Sequence, residues 1–190
     1  MPSCLVVLAP GAEEIELTTV ADVLVRGGND VVVASAVDTP MVRGSRGLPL
    51  AAHTLLRVIA GRSFDLVYLP GGTGSAEFCR DDLAIQELAE AQLAAGRLLA
   101  LICACPIALV PRRLCAGRSL TSFPAVRAQI EPHCGTWLNQ PVVVDGNLVT
   151  SQSAGSAMHC GLALVALLNG PTVARITADA LVIPTTQPYL

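Results

Sequence analysis

The sequence predicts an α/β fold in which helices cover both faces of a mostly parallel β-sheet. Short strand-like runs alternate with helical stretches, and the runs predicted to be central contain no polar residue. The 190-residue chain is 52% hydrophobic but only 14% charged and 3% aromatic, as expected when strands are buried on both faces. A chain of this length can bury about 70% of its unfolded surface, so we expect one domain over residues 1–190.

The first part of the chain alternates between strand and helix. Ser3–Leu8 is a compact apolar strand, and Glu13–Arg26 has apolar residues at helical spacing until a Gly-Gly pair ends it. Val31–Ala34 is predicted as the second strand. Met41–His53 contains Gly, Ser and Pro, which indicates an irregular or hairpin excursion at the sheet edge.

The middle of the chain holds two further strands and a helix between them. Asp65–Leu69 is a strand that ends at a Pro-Gly-Gly turn, and Leu98–Ile102 is all apolar and therefore central. Asp82–Ala95 is a helix with an aspartate available as N-cap and a glycine directly after it. Pro106–Val110 is predicted to begin the next helix, because proline suits a first helical turn.

The last third of the chain is less regular. Short strands are predicted around Ser119, at Val142–Val144 and at Leu148–Thr150, with an Asp-Gly-Asn turn that makes the last two a hairpin. Ser156–Leu168 is a long helix that ends at Asn-Gly-Pro. The apolar tail to Leu190 is expected to pack on the body.

Charge and hydropathy exclude several classes of partner. The net charge of −3 gives no electrostatic reason to expect nucleic acid or an anionic membrane as partner. No apolar run approaches the roughly 20 residues that span a bilayer, and the start of the chain lacks the pattern of a signal peptide. A surface this poor in charge favours homodimerisation.

The seven cysteines are odd in number and scattered, with no CxxC pair. A chain that can build a large core does not need a disulfide scaffold, so reduced thiols in the cytoplasm are the better interpretation. Cys103 and Cys105 form a CxC pair without a matching His or Cys cluster, which indicates a metal only weakly. We expect neither a metal nor another cofactor.

Cys103 is the first candidate functional residue. The site of a parallel sheet lies at the carboxyl ends of its strands, which brings together the loops after Leu8, Leu69 and Ile102. A thiol between a strand and a helix faces free backbone N–H groups and the positive end of the helix dipole, which favour the nucleophilic thiolate. An inert buried cysteine is equally consistent with the position alone.

The other two loops carry an acidic cluster and a glycine-rich turn. Glu13, Glu14 and Glu16 complement the dipole of a helix start, but one of them can instead point over the sheet end. A carboxyl buried beside a thiol has a raised pKa and can donate a hydrogen bond or move a proton. The turn 70–74 (PGGTG) matches neither phosphate-binding glycine motif; it is an oxyanion hole or simply a tight turn.

Together, the motifs GAEEIE, LPGG and ICACP resemble the ThiJ/PfpI superfamily, and within it the branch that contains the Parkinson's disease-associated protein deglycase. The resemblance extends to about Leu181 through DVLVRGG, GSRG, LVTSQ and ALVALLNG. It implies a flavodoxin-like three-layer sandwich, usually a homodimer. In this family a nucleophilic cysteine, here Cys103, is paired with a protonated glutamate, here Glu16.

The resemblance also implies further site residues. Backbone oxyanion donors map onto Gly72 and Ala104, and substrate- or anion-binding arginines map onto Arg26 and Arg46. The implied activity is that of a cofactor-independent glyoxalase III or protein deglycase acting on small aldehydes such as methylglyoxal. The alternative is a redox-sensing, stress-response or chaperone protein that signals through oxidation of the cysteine.

Two departures from the family pattern bear on activity. Phe123 stands where a histidine is expected before proline, and Gln152 stands where an arginine is expected. Loss of a positioned acid/base typically lowers a rate by about 10²–10⁴-fold, so weak turnover is expected. The protease-like branch has a histidine directly after the nucleophile, where this chain has Ala104, so a peptidase is not expected.

Overall fold

The computed structural model describes residues 1–183 of the chain. The strands in this part are β1 (Ser3–Leu8), β2 (Asp30–Ser35), β3 (Met41–Arg43), β4 (Pro49–Ala51), β5 (Thr54–Leu55), β6 (Leu66–Leu69), β7 (Leu98–Ile102), β8 (Ser119–Leu120), β9 (Thr136–Trp137), β10 (Val142–Asp145) and β11 (Leu148–Ser151). The helices are α1 (Glu14–Arg26), α2 (Thr73–Asp81), α3 (Leu83–Ala94), α4 (Arg127–Ile130), α5 (Ala157–Asn169) and α6 (Pro171–Ala180).

The central sheet has the strand order β10-β11-β7-β6-β1-β2-β5 within the described residues. All of its neighbouring pairs are parallel except the hairpin of β10 and β11. In register, Leu5 of β1 lies opposite Val32 on one side and Val67 on the other. The predicted mostly parallel sheet is confirmed, with β7 in its interior.

Helices cover both faces of this sheet, because successive side chains of a strand point to opposite faces. On one face Val6, Leu8 and Tyr68 pack with α1, α5 and α6. On the other face Leu5 and Leu101 pack with α2 and α3. Both cores are apolar and use the same strands, which is why the central strands contain no charged residue.

Several elements differ from the prediction. The glycine-rich turn after β6 leads directly into α2, which begins within the PGGTG segment that the sequence predicts as a turn. The segment predicted as a helix at Pro106–Val110 is a 3₁₀ turn, Cys105–Leu109. The predicted excursion contains the β3–β4 hairpin. Part of the predicted tail is α6, and residues 184–190 of that tail lie outside the described residues.

None of the helices described in residues 1–183 combines the length and the apolar character that a membrane span requires.

The packing of α1 against α5 has little free space at Gly161. A Cβ there would lie 2.8 Å from Val23 Cβ and 2.9 Å from its Cγ1. We therefore expect Gly161→Val to lower the free energy of unfolding by about 1–3 kcal/mol through overpacking, measured by urea denaturation. Gly155→Val is the matched control, because the nearest atom to its new Cβ would be 3.8 Å away. Equal losses in both variants would contradict the packing argument.

Candidate active site

The carboxyl ends of β1, β6 and β7 bring the three predicted loops around one cavity of about 600 Å³. Five of the six predicted site residues line it: Glu16, Arg46, Gly72, Cys103 and Ala104. The convergence of these loops follows from the parallel arrangement, since all three strands end at the same edge.

Arg26 is the predicted residue that the chain does not bring to the cavity. It lies in the last turn of α1, about 15 Å along the helix axis from Glu16, and its Nε is 2.6 Å from Asp22 Oδ2. Arg43 lines the cavity instead, next to Arg46. Sequence reasoning missed Arg43, although its position directly before the GSRG segment was a usable signal.

Cys103 occupies a strained turn directly after β7. Its φ is +63°, a left-handed conformation that costs a non-glycine residue roughly 1–3 kcal/mol. The backbone is held on both sides, because Cys103 N–H donates to Ser151 O at 2.9 Å and Cys103 O accepts from Phe123 N–H at 2.7 Å. The thiol is partly exposed and lines the cavity.

The three glutamates at the start of α1 have separate roles. Glu13 caps the helix by accepting from Glu16 N–H at 2.9 Å. The Glu14 carboxylate accepts from Ser45 Oγ and from Arg46 N–H, at 3.1 and 2.8 Å, and so holds the loop after β3. Only Glu16 points to the cysteine. The prediction that one acid of the cluster lies over the sheet end is confirmed.

Glu16 is completely buried. Its Oε2 accepts from Gly71 N–H at 2.8 Å. Its Oε1 has no partner of good hydrogen-bond geometry within the described residues, although the Cys103 thiol and Ala154 N–H both act on the carboxyl. The contact between the Glu16 carboxyl and the Cys103 thiol is therefore a close electrostatic one.

Burial raises the pKa of Glu16 to about 7, and the nearby charge of Glu13 acts in the same direction. Interactions with Cys103 and with Gly71 N–H oppose the increase without cancelling it. A carboxyl with this pKa exchanges a proton readily near neutral pH. Proton transfer is therefore within its chemical range.

Gly71 is required at this position because the backbone passes between the two reactive side chains. A Cβ on Gly71 would lie 2.5 Å from Cys103 Cβ and 2.5 Å from Glu16 Oε2. Gly72, with φ of +89°, directly precedes α2 and turns its N–H toward the cysteine sulfur. The glycine pair thus allows a close approach that any side chain would prevent.

Burial raises the pKa of Cys103 to about 12, and the Glu16 carboxylate adds to the increase. The N–H groups of Gly72 and Ala104 act in the opposite direction. This direction is opposite to the lowered pKa that the sequence predicted. The reason is that burial and the Glu16 carboxylate outweigh the two backbone N–H groups.

Cys103 and Glu16 titrate as a pair. Burial raises the pKa of both groups, and repulsion between a thiolate and a carboxylate favours states in which the pair holds one proton. That proton is on the sulfur or on the carboxyl. Transfer from sulfur to carboxyl produces a thiolate beside a neutral acid, without the charge repulsion that raises the pKa of the thiol.

The two positions where the family resemblance implies a histidine and an arginine lie in different surroundings. Phe123 lines the cavity, with 42% of its surface exposed. Gln152 Nε2 donates to Asn139 Oδ1 at 2.7 Å and does not line the cavity. None of the three histidines lines it either. A Cys–His dyad is therefore absent from the part of the chain that the structure describes.

The other cysteines do not complete a metal site. All seven are free, and Cys105 is fully buried behind the cavity. Within residues 1–183, no group of three or more His, Cys, Asp or Glu side chains lies close enough together to hold a metal ion.

Comparison with known proteins identifies the family of the chain. The model of the DJ-1/PfpI family matches residues 2–167. The chain belongs to this family. The predicted ThiJ/PfpI resemblance is thereby confirmed.

Two relatives match over at least 90% of their own length. Protein dj-1beta of Drosophila melanogaster is 36% identical over 181 residues, which cover 95% of this chain and 97% of the relative. Its crystal structure superposes with a TM-score of 0.93 over 96% of this chain and 98% of that one. A Caenorhabditis elegans relative named glutathione-independent glyoxalase DJR-1.2 is 32% identical over 170 residues, covering 89% and 90% of the two chains.

The buried carboxyl of Glu16 should destabilise the folded chain at high pH. Its pKa rises from an ordinary 4.5 to about 7 on folding, so the cost is absent below about pH 4.5 and complete above about pH 7. We expect Glu16→Gln to increase the free energy of unfolding on the order of 3 kcal/mol at pH 8 and very little at pH 4. Urea denaturation at the two pH values measures this difference.

Glu14→Gln is the matched control and should have the opposite sign. Although burial opposes it, hydrogen bonds from the Glu14 backbone, Arg46 N–H, Leu48 N–H and Ser45 Oγ lower the pKa of Glu14. Its carboxylate therefore stabilises the fold above its ordinary pKa, and the variant should be less stable at pH 8. A Glu16→Gln gain that is independent of pH would contradict the assignment.

Proposed function

We propose that this chain is a cysteine-dependent, cofactor-independent enzyme of the glyoxalase III or protein deglycase type, acting on small reactive carbonyls such as methylglyoxal. The observation that carries the proposal is the buried carboxyl of Glu16 against the partly exposed thiol of Cys103, in a cavity open to a small aldehyde. The relative named as a glyoxalase supports it.

The first step is addition of the Cys103 sulfur to the aldehyde carbon. Transfer of the thiol proton to Glu16 supplies the thiolate, a C–S bond forms, and the aldehyde oxygen receives the proton to give a hemithioacetal. The N–H groups of Gly72 and Ala104 already act on the sulfur. In this mechanism the same N–H groups stabilise the adjacent oxygen while it carries negative charge.

The second step moves a proton between the two carbons of the substrate. Glu16 as carboxylate removes the proton from the former aldehyde carbon and returns it to the neighbouring ketone carbon, while the hydroxyl proton of the hemithioacetal passes to the ketone oxygen. The first carbon is thereby oxidised to a thioester and the second is reduced to an alcohol, so no external electron acceptor is needed. Water then hydrolyses the thioester to lactate and regenerates the Cys103 thiol.

Phe123 limits how fast this sequence runs. A phenyl ring cannot move protons, and no histidine lines the cavity, so the proposal assigns the proton transfers to Glu16, the carboxyl beside the thiol, and to water. We therefore propose slow turnover, by about 10²–10⁴-fold relative to a site with a second positioned acid/base.

We further propose that the chain is a single domain that forms a homodimer in the cytoplasm. Ile15 and Val25 of α1 are each more than half exposed, and apolar side chains on one helix are suited to contact with a second copy. The free cysteines are consistent with a reducing compartment.

Cys103→Ala tests the enzymatic proposal. With the nucleophile removed, lactate formation from methylglyoxal should fall to the rate without enzyme, because no covalent adduct can form. Lactate is measured by a coupled lactate dehydrogenase assay. Cys134→Ala is the matched control, since Cys134 is the other partly exposed cysteine and does not line the cavity. Equal activity in Cys103→Ala and the wild type would refute the proposal.

A redox-sensing, stress-response or chaperone role is the second candidate, and the aromatic ring at position 123 favours it, because oxidation of a thiol needs no acid/base partner. A peroxide converts the Cys103 thiolate to sulfenate with loss of water or alcohol, and a second equivalent gives sulfinate. Neutral Glu16 can donate a hydrogen bond to either oxyanion.

Mild hydrogen peroxide treatment followed by peptide mass spectrometry distinguishes this candidate. We expect Cys103 to be oxidised before the similarly exposed Cys134, and well before the buried Cys79, because Gly72 and Ala104 N–H groups stabilise the Cys103 thiolate and neutral Glu16 can donate a hydrogen bond to the oxidised sulfur. Earlier oxidation of Cys134 or Cys79 would remove the proposed sensor site.

A further inference from the structure

Phe123 is an exposed aromatic side chain at the wall of a reactive cavity. Single exposed apolar residues are common on protein surfaces and by themselves indicate nothing. Phe123 differs because its side chain lines the same cavity as Cys103. Its backbone is held in place, since its N–H donates to Cys103 O at 2.7 Å and its carbonyl accepts from Val126 N–H at 3.0 Å.

The strand order places Phe123 on one side of the cysteine and the arginines on the other. The segment that carries Phe123 follows β8 and is bonded to β11, because Thr121 N–H donates to Thr150 Oγ1 at 2.9 Å. The loop with Arg43 and Arg46 is bonded to the end of β1, through Gly11 N–H to Arg43 O at 3.0 Å. In the sheet, β7 and its Cys103 lie between β11 and β1.

This order places Phe123 on the β11 side of the cavity, together with Ser153 and Ala154, and both arginines on the β1 side, together with Glu13. Neighbouring strands are about 4.8 Å apart, so the end of β1 is about 10 Å from that of β7. A substituent of an aldehyde bound at Cys103 that extends toward β11 therefore meets the Phe123 ring, away from both guanidinium groups. A cavity of about 600 Å³ is in the range of pockets for ligands much larger than methylglyoxal.

We propose that Phe123 is a specificity-determining residue and that the site prefers 2-oxoaldehydes with an apolar, especially aromatic, substituent. This inference rests on the proposed carbonyl chemistry at Cys103 and names its substrate class. The substituent packs on the Phe123 ring, while the aldehyde carbon meets the sulfur. A ring pair of this kind adds roughly 2- to 10-fold in affinity beyond the burial of apolar area.

Selective alkylation of Cys103 tests the preference without requiring turnover. The rates with iodoacetamide and N-benzyl iodoacetamide are measured by peptide mass spectrometry at one pH, and their ratio is divided by the ratio for glutathione. We expect the wild type to favour the benzyl reagent by at least about 3-fold. Phe123→Ala should lose this preference, Phe123→Leu should keep part of it, and Ile176→Ala should keep all of it.

Ile176 is a suitable control because it is 58% exposed and lies on α6, away from the cavity lining. A wild-type ratio equal to that of glutathione would overturn the proposal. So would an unchanged ratio in Phe123→Ala. If Phe123→Ala changes only the oligomeric state seen in sedimentation, Phe123 covers a subunit contact and the proposal is wrong.

A second test compares the turnover of two aldehydes. The ratio of kcat/KM for phenylglyoxal, followed as mandelate, to that for methylglyoxal, followed as lactate, should fall at least about 3-fold in Phe123→Ala. An unchanged turnover ratio would refute the specificity role. If the wild type converts neither aldehyde, the proposed function fails, whereas the alkylation ratio still decides whether Phe123 selects apolar groups at Cys103.

Discussion

A buried carboxyl against a thiol is the interaction on which the site depends. Glu16 has no access to water and is held by Gly71 N–H, so its charge is balanced by few partners and its proton is easily exchanged. The contact exists only because a residue without a side chain passes between the two groups. The contact forms only when the fold brings together the start of α1, the turn after β6 and the end of β7.

This arrangement has an energetic cost that the rest of the fold offsets. Glu16 is buried with a raised pKa, and Cys103 has a left-handed backbone. Both features are costly in an ordinary domain and are typical of functional sites, where the surrounding structure overrides local preference. Here the surrounding structure is a sheet with two apolar cores, one on each face. Glu16 and Cys103 lie at the carboxyl ends of its strands.

The chemistry that this site supports depends on the proton that Cys103 and Glu16 share. Cys103 alone is a poor nucleophile, since burial and the neighbouring carboxylate raise its pKa to about 12. With the proton on Glu16 the sulfur is a thiolate that Gly72 and Ala104 N–H groups can stabilise. Phe123 adds apolar surface to the same cavity.

The sequence by itself determined the sheet and predicted the pairing of Cys103 with Glu16, whereas the tertiary structure decided the electrostatics of that pair. Apolar runs identify β1 and β7, because the burial of a strand is visible in its own local sequence. The motif resemblance identified Cys103 and Glu16 as candidate site residues. Sequence reasoning missed α2, because its first residues belong to a glycine-rich segment typical of a turn. It named Arg26 and did not consider Arg43, because the path of a loop back over the sheet is not local information. The direction of the Cys103 pKa depends on burial and on a carboxylate far away in the chain, and only folding brings these together.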